Sequence, residues 1–419
     1  MQKLIIKGKR ELRGKISISG SKNATLPILA ASILAEQVRL KNIPLVKDIF
    51  TMIELLNFIG LKTKINQKKN YIEIFNNKKN INTLAPYKLV KTMRAGVLVL
   101  GSLLTKYGKA KVSLPGGCAI GTRPVNLHLF ALKKMGAKIK IKDGYILAEA
   151  KKGLRGTVIN FPSISVGATE NALLAASKAE GMTVLKNCAI EPEIKDLIIF
   201  LKKLGSNIHI TGRTITVREN KIKNFKVTHK VIFDRIELGT YMIAGSLLAK
   251  TNLIIDKIDP EVVKNEINVL KKIGVQIIKK KSSIVLKSNK KLKKINISTK
   301  PYPGFPTDLQ AQLMVLLTQV NGISKIKEDI FENRFMHVPE LKRMGAQIEI
   351  KDKTAIIKGP TKLTGAEVMA TDLRASVSLV LAGLVADNRT IINRIYHLDR
   401  GYEFLEKKLK SCKAEIRRI

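Results

Sequence analysis

One phrase recurs six times along the chain and restricts the fold more than any other feature. It joins the end of an amphipathic helix, a glycine and a strand-like stretch. A glycine there is typical of a helix C-terminus, because glycine readily adopts the left-handed backbone conformation that ends a helix. The copies are LLNFIGLKTKI (55–65), LKKMGAKIKI (132–141), LKKLGSNIHI (201–210), LKKIGVQIIK (270–279), LKRMGAQIEI (341–350) and, with Lys413 in place of the glycine, LKSCKAEIRR (409–418).

A second phrase lies between the copies of the first. It is a helix rich in small apolar residues, almost without charges in its middle, followed by a turn and a strand, as in ATLPILAASILAEQVRL (24–40) and TDLRASVSLVLAGLVADNRTIINR (371–394). A helix that is apolar on every side is buried on every side. Each repeat unit is therefore expected to contain one buried helix, one amphipathic helix and several short strands.

Six such units are too many for one compact core, since domains typically hold about 50–200 residues. The 419 residues are therefore expected to form two α/β domains of three units each. Buried helices would be wrapped by strands, with the amphipathic helices outside. The first strand of the chain must pair somewhere, and we expect it to join the C-terminal half, which makes that domain discontinuous.

The formal net charge of +43 admits a nucleic-acid partner, an anionic substrate or a general lysine-rich bias. The lysines are dispersed over polar helix faces and hairpin turns, which is typical of solvated surface. Aromatic residues make up only 5% of the chain and tryptophan is absent, so nucleic-acid bases would find few side chains to stack on. We therefore expect no nucleic-acid partner.

The three cysteines include no CxxC pair and make a poor disulfide framework. Cys188 and Cys412 lie in repeat positions, where a packing role is expected. The N-terminal segment has no apolar signal core, and the most apolar runs are too short to span a bilayer. We expect a soluble cytoplasmic protein without a membrane partner.

Segment 113–128, SLPGGCAIGTRPVNLH, has the pattern of a strand end, a glycine-rich loop and a helix that begins near Pro124. Cys118 lies at the tip of the loop, and Arg123 lies at the start of the helix. Nearby positive charge favours a thiolate. From these residues alone, Cys118 is either a reactive thiol or an incidental residue of a surface turn.

Charged and polar residues open several of the buried helices, where free N–H groups and the helix dipole attract anions. The cationic ones indicate a ligand with several negative charges, bound in a cleft between the domains. Two alternatives stay open, Lys22 as a solvated turn residue and Asp308 as a helix N-cap instead of a base. The residues at these helix starts are Lys22, Asn23, Lys91, Arg94, Ser165, Gly167, Asp308, Asp372, Arg374 and Arg400.

The positions of the histidines in the sequence do not indicate a metal site. His128, His337 and His397 show no metal-ligand spacing, and no zinc or acidic-triad motif occurs. We expect neither a metal nor a cofactor.

Ten motifs are more specific than the repeats: SGSKNATLPILAA, LVKTMRAG, LPGGCAIGTRPVNLH, SVGAT, EPEI, DRIE, FPTD, FENRFMHVPELKRMGA, TDLRAS and HLDRGYE. This set resembles the bacterial UDP-N-acetylglucosamine 1-carboxyvinyltransferases, also called enolpyruvyl-UDP-GlcNAc synthases. The likeness runs from Met1 to the C-terminal helix. It implies the enolpyruvate transferase fold, with two inside-out α/β domains of three-fold pseudosymmetry.

The resemblance also implies the domain bounds and the reaction. The first domain would be 1–21 plus 230–419, the second 22–229 with the Cys118 loop, and the active site would lie in the cleft between them. The reaction would be transfer of the enolpyruvyl group from phosphoenolpyruvate to the 3-hydroxyl of UDP-N-acetylglucosamine, with release of phosphate. This is the first committed step of peptidoglycan synthesis. The partners would be these two small molecules, and the protein would be a monomer.

The site residues are carried over motif by motif. By resemblance, Cys118 donates a proton to the methylene carbon of phosphoenolpyruvate, and Asp308 is the general base for the sugar hydroxyl. The implied phosphoenolpyruvate-binding residues are Lys22, Asn23, Arg123, Asp372, Arg374 and Arg400. The implied UDP-N-acetylglucosamine-binding residues are Arg94, Arg123, Pro124, Val125, Asn126, Leu127, Ser163, Ile164, Ser165, Val166, Asp308 and Ile330.

Two positions depart from the pattern of the family. Asn126 replaces an aspartate found in many members, and Ser163 replaces a lysine found in several. Both concern the nucleotide-sugar region, so affinity for the nucleotide sugar is expected to differ in detail. The reactive cysteine is retained, which implies inactivation by the epoxide fosfomycin.

Two other functions compete with this one. The shikimate-pathway enolpyruvyl transferase shares the phosphoenolpyruvate chemistry but lacks the cysteine loop and the RPVNLH segment. A basic nucleic-acid-binding protein would explain the charge of +43, but it would not explain arginines gathered at helix starts.

Overall fold

The computed structural model describes residues 2–76, 81–116, 125–218, 226–287 and 291–419. Within these residues the chain forms two compact units. One holds the described residues of Met1–Ser19 and Phe233–Ile419, and the other holds those of Gly20–Gly117 and Arg123–Ile232. Each unit encloses its own hydrophobic core.

Thirteen helices are found in the described ranges. They are α1 (Lys22–Ala31), α2 (Lys47–Ile59), α3 (Tyr87–Val90), α4 (Val99–Tyr107), α5 (Asn126–Lys134), α6 (Val166–Ala176), α7 (Pro192–Leu204), α8 (Arg235–Leu248), α9 (Lys264–Ile273), α10 (Gln310–Leu317), α11 (Val338–Arg343), α12 (Leu373–Val385) and α13 (Leu405–Ser411).

The strands are short and numerous. They are β1 (Leu4–Lys7), β2 (Gly14–Ser17), β3 (Gln37–Lys41), β4 (Leu61–Asn66), β5 (Tyr71–Asn76), β6 (Leu84–Ala85), β7 (Lys109–Ser113), β8 (Lys138–Lys142), β9 (Tyr145–Glu149), β10 (Val158–Asn160), β11 (Thr183–Lys186), β12 (Asn207–Thr211), β13 (Thr214–Arg218), β14 (Lys226–Lys230), β15 (Leu253–Asp256), β16 (Gln276–Lys280), β17 (Ser283–Lys287), β18 (Asn296–Ser298), β19 (Gly322–Lys327), β20 (Gln347–Lys351), β21 (Thr354–Gly359), β22 (Glu367–Met369), β23 (Arg389–Asn393) and β24 (Glu415–Arg418).

These strands build six four-stranded sheets over the described ranges, three in each unit. All six have one pattern, a parallel pair followed by two antiparallel neighbours, as in β10-β11-β13-β12. The β18-β19-β21-β20 sheet repeats it in the other unit. The six-fold repeat predicted from the sequence is confirmed.

The repeated glycine ends helices as predicted. Gly60, Gly205 and Gly274 are the C-caps of α2, α7 and α9, with φ angles of 115°, 109° and 103°. Lys413 takes the same left-handed conformation with φ 72° in the copy without a glycine. The following residues form the predicted strands β4, β12, β16 and β24.

The apolar helices lie in the cores. Helices α1, α4 and α6 in one unit and α8, α10 and α12 in the other are buried along most of their length, as predicted. Gly101 lets α4 approach α6, since a Cβ at this position would lie 2.3 Å from Asn171 Oδ1. The Gly101 N–H donates a hydrogen bond of 2.7 Å to that oxygen.

The N-terminal strands pair with the C-terminal half, as predicted. Strand β1 lies between β23 and β24, with Ile6 opposite Thr390 and Ile416. Strand β2 runs parallel to β15. The predicted packing roles of Cys188 and Cys412 are also confirmed, because both side chains are completely buried.

Candidate active site

Asp308 is held between two arginines. It lies in a 3-10 turn, Thr307–Leu309, directly before α10. Its Oδ1 accepts a hydrogen bond of 2.5 Å from Arg334 Nη2, and its Oδ2 accepts one of 2.9 Å from Arg374 Nη2. The Asp308 side chain is 27% exposed, whereas those of the two arginines are 5% and 7% exposed. The carboxylate is therefore fixed from the protein side and still open to solvent.

The alternative that Asp308 is a helix N-cap is wrong. Pro306 occupies the N-cap of the 3-10 turn and Leu309 that of α10, and neither cap has a side-chain hydrogen bond. The carboxylate oxygens point instead to the guanidinium groups. Positive charge at this distance favours the ionised carboxylate, which is the form able to accept a proton.

Tyr402 holds Arg374 in place through a hydrogen bond. Its hydroxyl accepts hydrogen bonds of 3.2 Å from Arg374 Nη1 and from Gln312 Nε2, because both of these nitrogens only donate. The Tyr402 hydroxyl therefore donates its own hydrogen bond to Thr240 Oγ1, at 2.9 Å. Thr240 Oγ1 in turn donates a hydrogen bond of 2.9 Å to the carbonyl of Ile236. The donor and acceptor roles around the Tyr402 hydroxyl agree with one another, so the guanidinium of Arg374 is held in one orientation. Gln312 Oε1 is the exception in this network, since it is buried without a hydrogen-bond partner among the described residues.

Asp372 acts as the N-cap of α12. Its Oδ1 accepts from the backbone N–H groups of Arg374, at 2.7 Å, and of Ala375, at 3.1 Å. The neighbouring His337 is buried. The pKa of His337 is lowered to about 4, chiefly by burial; Asp372 opposes this shift, and the charge of Arg334 contributes to it. His337 is therefore neutral at pH 7.

Arg400 and Ile330 are the remaining predicted site residues of this unit. Arg400 ends the 3-10 segment Ile395–Arg400, two residues before Tyr402, and is partly buried. The backbone N–H of Ile330 donates a hydrogen bond of 2.9 Å to Glu328 Oε1.

In the other unit, Lys22 is the first residue of α1 and lies close to Asp48. The distance from Lys22 Nζ to Asp48 Oδ2 is 3.3 Å, and the two side chains are 11% and 7% exposed. The alternative of a solvated lysine is therefore wrong. Asn23 follows in the first turn of α1 and is partly exposed.

His128 and Arg94 form a second cluster in this unit. Asn171 Oδ1 accepts from the Gly101 N–H, so its Nδ2 must donate, to the carbonyl of Val97 and to His128 Nδ1 at 3.0 Å. The proton of the neutral imidazole is therefore on Nε2. Burial, with a smaller contribution from Arg94, lowers the pKa of His128 to about 4. His128 is a neutral N–H donor at pH 7.

The same neighbourhood contains two predicted nucleotide-sugar segments. Ser165 is the N-cap of α6 and accepts from the backbone N–H of Ala168 at 3.3 Å. Gly167 lies against the imidazole, since a Cβ there would be 3.2 Å from His128 Nε2. The structure thus brings the start of α6, which follows Ser163 and Ile164, close to the helix that contains Asn126 and Leu127.

Several predicted residues are not tested by these contacts. Cys118, Arg123 and Pro124 lie outside the described residues. Val125, the N-cap of α5, is buried. Across the described ranges, no group of three or more His, Cys, Asp or Glu residues is arranged to hold a metal ion. In the same ranges, no helix has the length and apolar character needed to cross a bilayer.

The structure adds residues that sequence reasoning missed. Arg334 lies in the FENRFMHVPELKRMGA motif and Tyr402 in HLDRGYE, but the sequence motifs do not indicate a role for either residue. Asp48 lies in none of the ten motifs, and its contact with Lys22 becomes evident only in the structure. His128 was considered only as a metal ligand.

The fold defines the chain as an enolpyruvyl transferase. Its structure is similar to the enolpyruvyl transferase NikO from Streptomyces tendae, with a TM-score of 0.88 and 25% identity over 100% of this chain and 98% of that one. EPSP synthase from Acinetobacter baumannii shares the fold, with a TM-score of 0.76 and 16% identity over 100% of this chain and 99% of that one.

The sequence gives the family directly. Residues 6–409 match the family EPSP synthase (3-phosphoshikimate 1-carboxyvinyltransferase), and the chain belongs to it. Within the family, the chain is 58% identical over 421 residues to the UDP-N-acetylglucosamine 1-carboxyvinyltransferase of Pelagibacter ubique. It is 51% identical over 420 residues to the protein of that name from Rickettsia felis. Both alignments cover 100% of both chains.

Proposed function

We propose that this chain transfers the enolpyruvyl group of phosphoenolpyruvate to the 3-hydroxyl of UDP-N-acetylglucosamine and releases phosphate. The observation that carries the proposal is the Asp308 carboxylate, open to solvent and fixed by two buried guanidinium groups. It occurs in a chain that matches proteins of this named activity over its full length at 50–58% identity. The shikimate-pathway reaction is not favoured, because the relatives with high identity have the other name.

In the proposed addition step, Asp308 takes the proton of the sugar hydroxyl while the hydroxyl oxygen bonds to C2 of phosphoenolpyruvate. Cys118 gives its proton to C3, which turns the methylene group into a methyl group. The tetrahedral intermediate keeps the phosphate and the carboxylate, so cationic neighbours stabilise it. In the elimination step the bond from C2 to the phosphate oxygen breaks, and the thiolate left on Cys118 takes a proton back from C3, which restores the double bond.

The proposed binding roles follow the family resemblance. Asp308 belongs to one unit and Lys22 to the other. The domain bounds 1–21 plus 230–419 and 22–229 remain predictions, as do a cytoplasmic location, a monomeric state and a role in peptidoglycan synthesis. For phosphoenolpyruvate the proposed set is Lys22, Asn23, Arg123, Asp372, Arg374 and Arg400; for the nucleotide sugar it is Arg94, Asp308, Ile330 and segments 123–127 and 163–166.

A phosphate-release assay tests the function. With phosphoenolpyruvate present, phosphate should be released with UDP-N-acetylglucosamine and not with shikimate 3-phosphate. Asp308→Asn should lower kcat by about 10²–10⁴-fold, the range of general acid–base catalysis. Release only with shikimate 3-phosphate, or full activity of Asp308→Asn, would overturn the proposal.

A further inference from the structure

Glu328 is a buried carboxylate with four hydrogen-bond donors around it. It follows β19 and is 1% exposed. Its Oε1 accepts from the backbone N–H groups of Ile330, at 2.9 Å, and Phe331, at 3.1 Å, and from Thr299 Oγ1 at 3.0 Å. Its Oε2 accepts from Thr307 Oγ1 at 2.9 Å. A carboxylate is costly to bury unless donors satisfy it, and here they do.

These bonds connect two segments that meet again at Asp308. Thr307 directly precedes Asp308 in the 3-10 turn. Phe331 precedes Arg334 by three residues, and Arg334 donates to Asp308 Oδ1. Glu328 therefore holds both ends of the Arg334–Asp308 pair, one through a side-chain hydroxyl and the other through backbone N–H groups.

We propose that Glu328 is a positioning residue, which sets the orientation of the Asp308 carboxylate by fixing the 307–308 turn and the 329–334 segment together. The inference rests on the proposed function, in which Asp308 accepts the proton of the sugar hydroxyl. Catalysis by a base depends steeply on its placement, since a displacement of about 1 Å can lower the rate about 10²-fold. The same carboxylate holds Ile330, so the nucleotide-sugar side of the site is fixed with the base.

The bond between Thr307 and Glu328 gives the sharpest test, because it can be removed without touching Asp308 or the buried carboxylate. Thr307→Val has nearly the same shape and loses the hydroxyl, whereas Thr307→Ser keeps it. Thr307→Ser is therefore the matched control, at the same position and with the same bond to Glu328 available. In the phosphate-release assay, kcat and KM would be measured for the wild type and both variants.

Thr307→Val should lower kcat about 10–100-fold with less than a threefold change in KM for phosphoenolpyruvate. Thr307→Ser should keep kcat within about threefold of the wild type. Wild-type kcat in Thr307→Val, or an equal loss in Thr307→Ser, would refute the positioning role. Absence of phosphate release by the wild-type protein would instead refute the proposed function.

A second measurement does not depend on the reaction. Amide hydrogen exchange would be followed by mass spectrometry in peptides covering 305–312 and 327–336, in the wild type and in Glu328→Ala. Loss of the carboxylate should speed exchange at least about threefold in both peptides. Unchanged exchange in the 305–312 peptide would overturn the connection between the two segments, whatever the activity of the protein.

Discussion

The hydroxyl of Tyr402 provides a direct test of the hydrogen-bond network that holds Arg374 against Asp308. In Tyr402→Phe the ring remains, and with it the contact with Arg374, whose Cζ lies 5.7 Å from the ring centroid. What is lost is the acceptor for Arg374 Nη1 and one of the acceptors for Gln312 Nε2.

The hydrogen bonds that remain decide the size of the effect. Gln312 Nε2 still donates to Thr240 Oγ1 and to the carbonyl of Asp308. Thr240 still donates to the carbonyl of Ile236. The main loss is one bond to a buried guanidinium, and hydrogen bonds to charged groups contribute about 1.5–3 kcal/mol. The free energy of unfolding should fall by about that amount, which lowers Tm by roughly 3–12 °C for a unit of this size.

Tyr241→Phe is the matched control. Tyr241 follows Thr240 in α8 and also has a buried hydroxyl. Tyr241 is completely buried, and its hydroxyl has no hydrogen-bond partner among the residues that the structure describes. Burial raises the pKa of this hydroxyl well above its ordinary range. Removing a polar group that is already unpaired should leave stability unchanged or raise it. Urea unfolding of both variants measures the difference, and an equal loss in the two variants would refute the proposed network.

Three further predictions concern other parts of the chain. Gly101→Ala should destabilise the protein by about 1–3 kcal/mol in urea unfolding, because its Cβ would lie 2.3 Å from Asn171 Oδ1; an unchanged midpoint would contradict the close approach of α4 and α6. Burial raises the pKa of Glu237 from 4.5 to about 7 against the lowering effect of Lys408, and stability from such a group is lost as pH rises. Between about pH 4.5 and 7 the unfolding free energy of the wild type should therefore fall relative to Glu237→Gln, by up to about 3 kcal/mol; parallel pH curves would show that the carboxyl does not titrate in this range. Cys118→Ser should lose most phosphate release, and fosfomycin should add its mass to Cys118 of the wild type; activity that survives excess fosfomycin without an adduct would contradict the assigned role.

The repeats predicted much of the fold because they act locally. A glycine after an amphipathic helix ends that helix in any context, and Gly60, Gly205 and Gly274 do so here. A helix without charges must be buried, so α6 and α12 were assigned to cores from composition alone. The partner of β1 was predicted only as the C-terminal half, and its place between β23 and β24 required the structure.

The candidate site likewise has features that the sequence predicts and features that require the structure. Charged residues at helix starts made Asp308 and Arg374 candidates from the sequence, and their roles in a reaction remain predictions. The sequence could not show that Asp308 contacts Arg334, or that Tyr402 holds Arg374, because those contacts join residues 26 and 28 positions apart. Thus the sequence by itself determined the repeat, the buried helices and the class of chemistry. Only the tertiary structure decided which charges meet, since pairing depends on distances that no local pattern encodes.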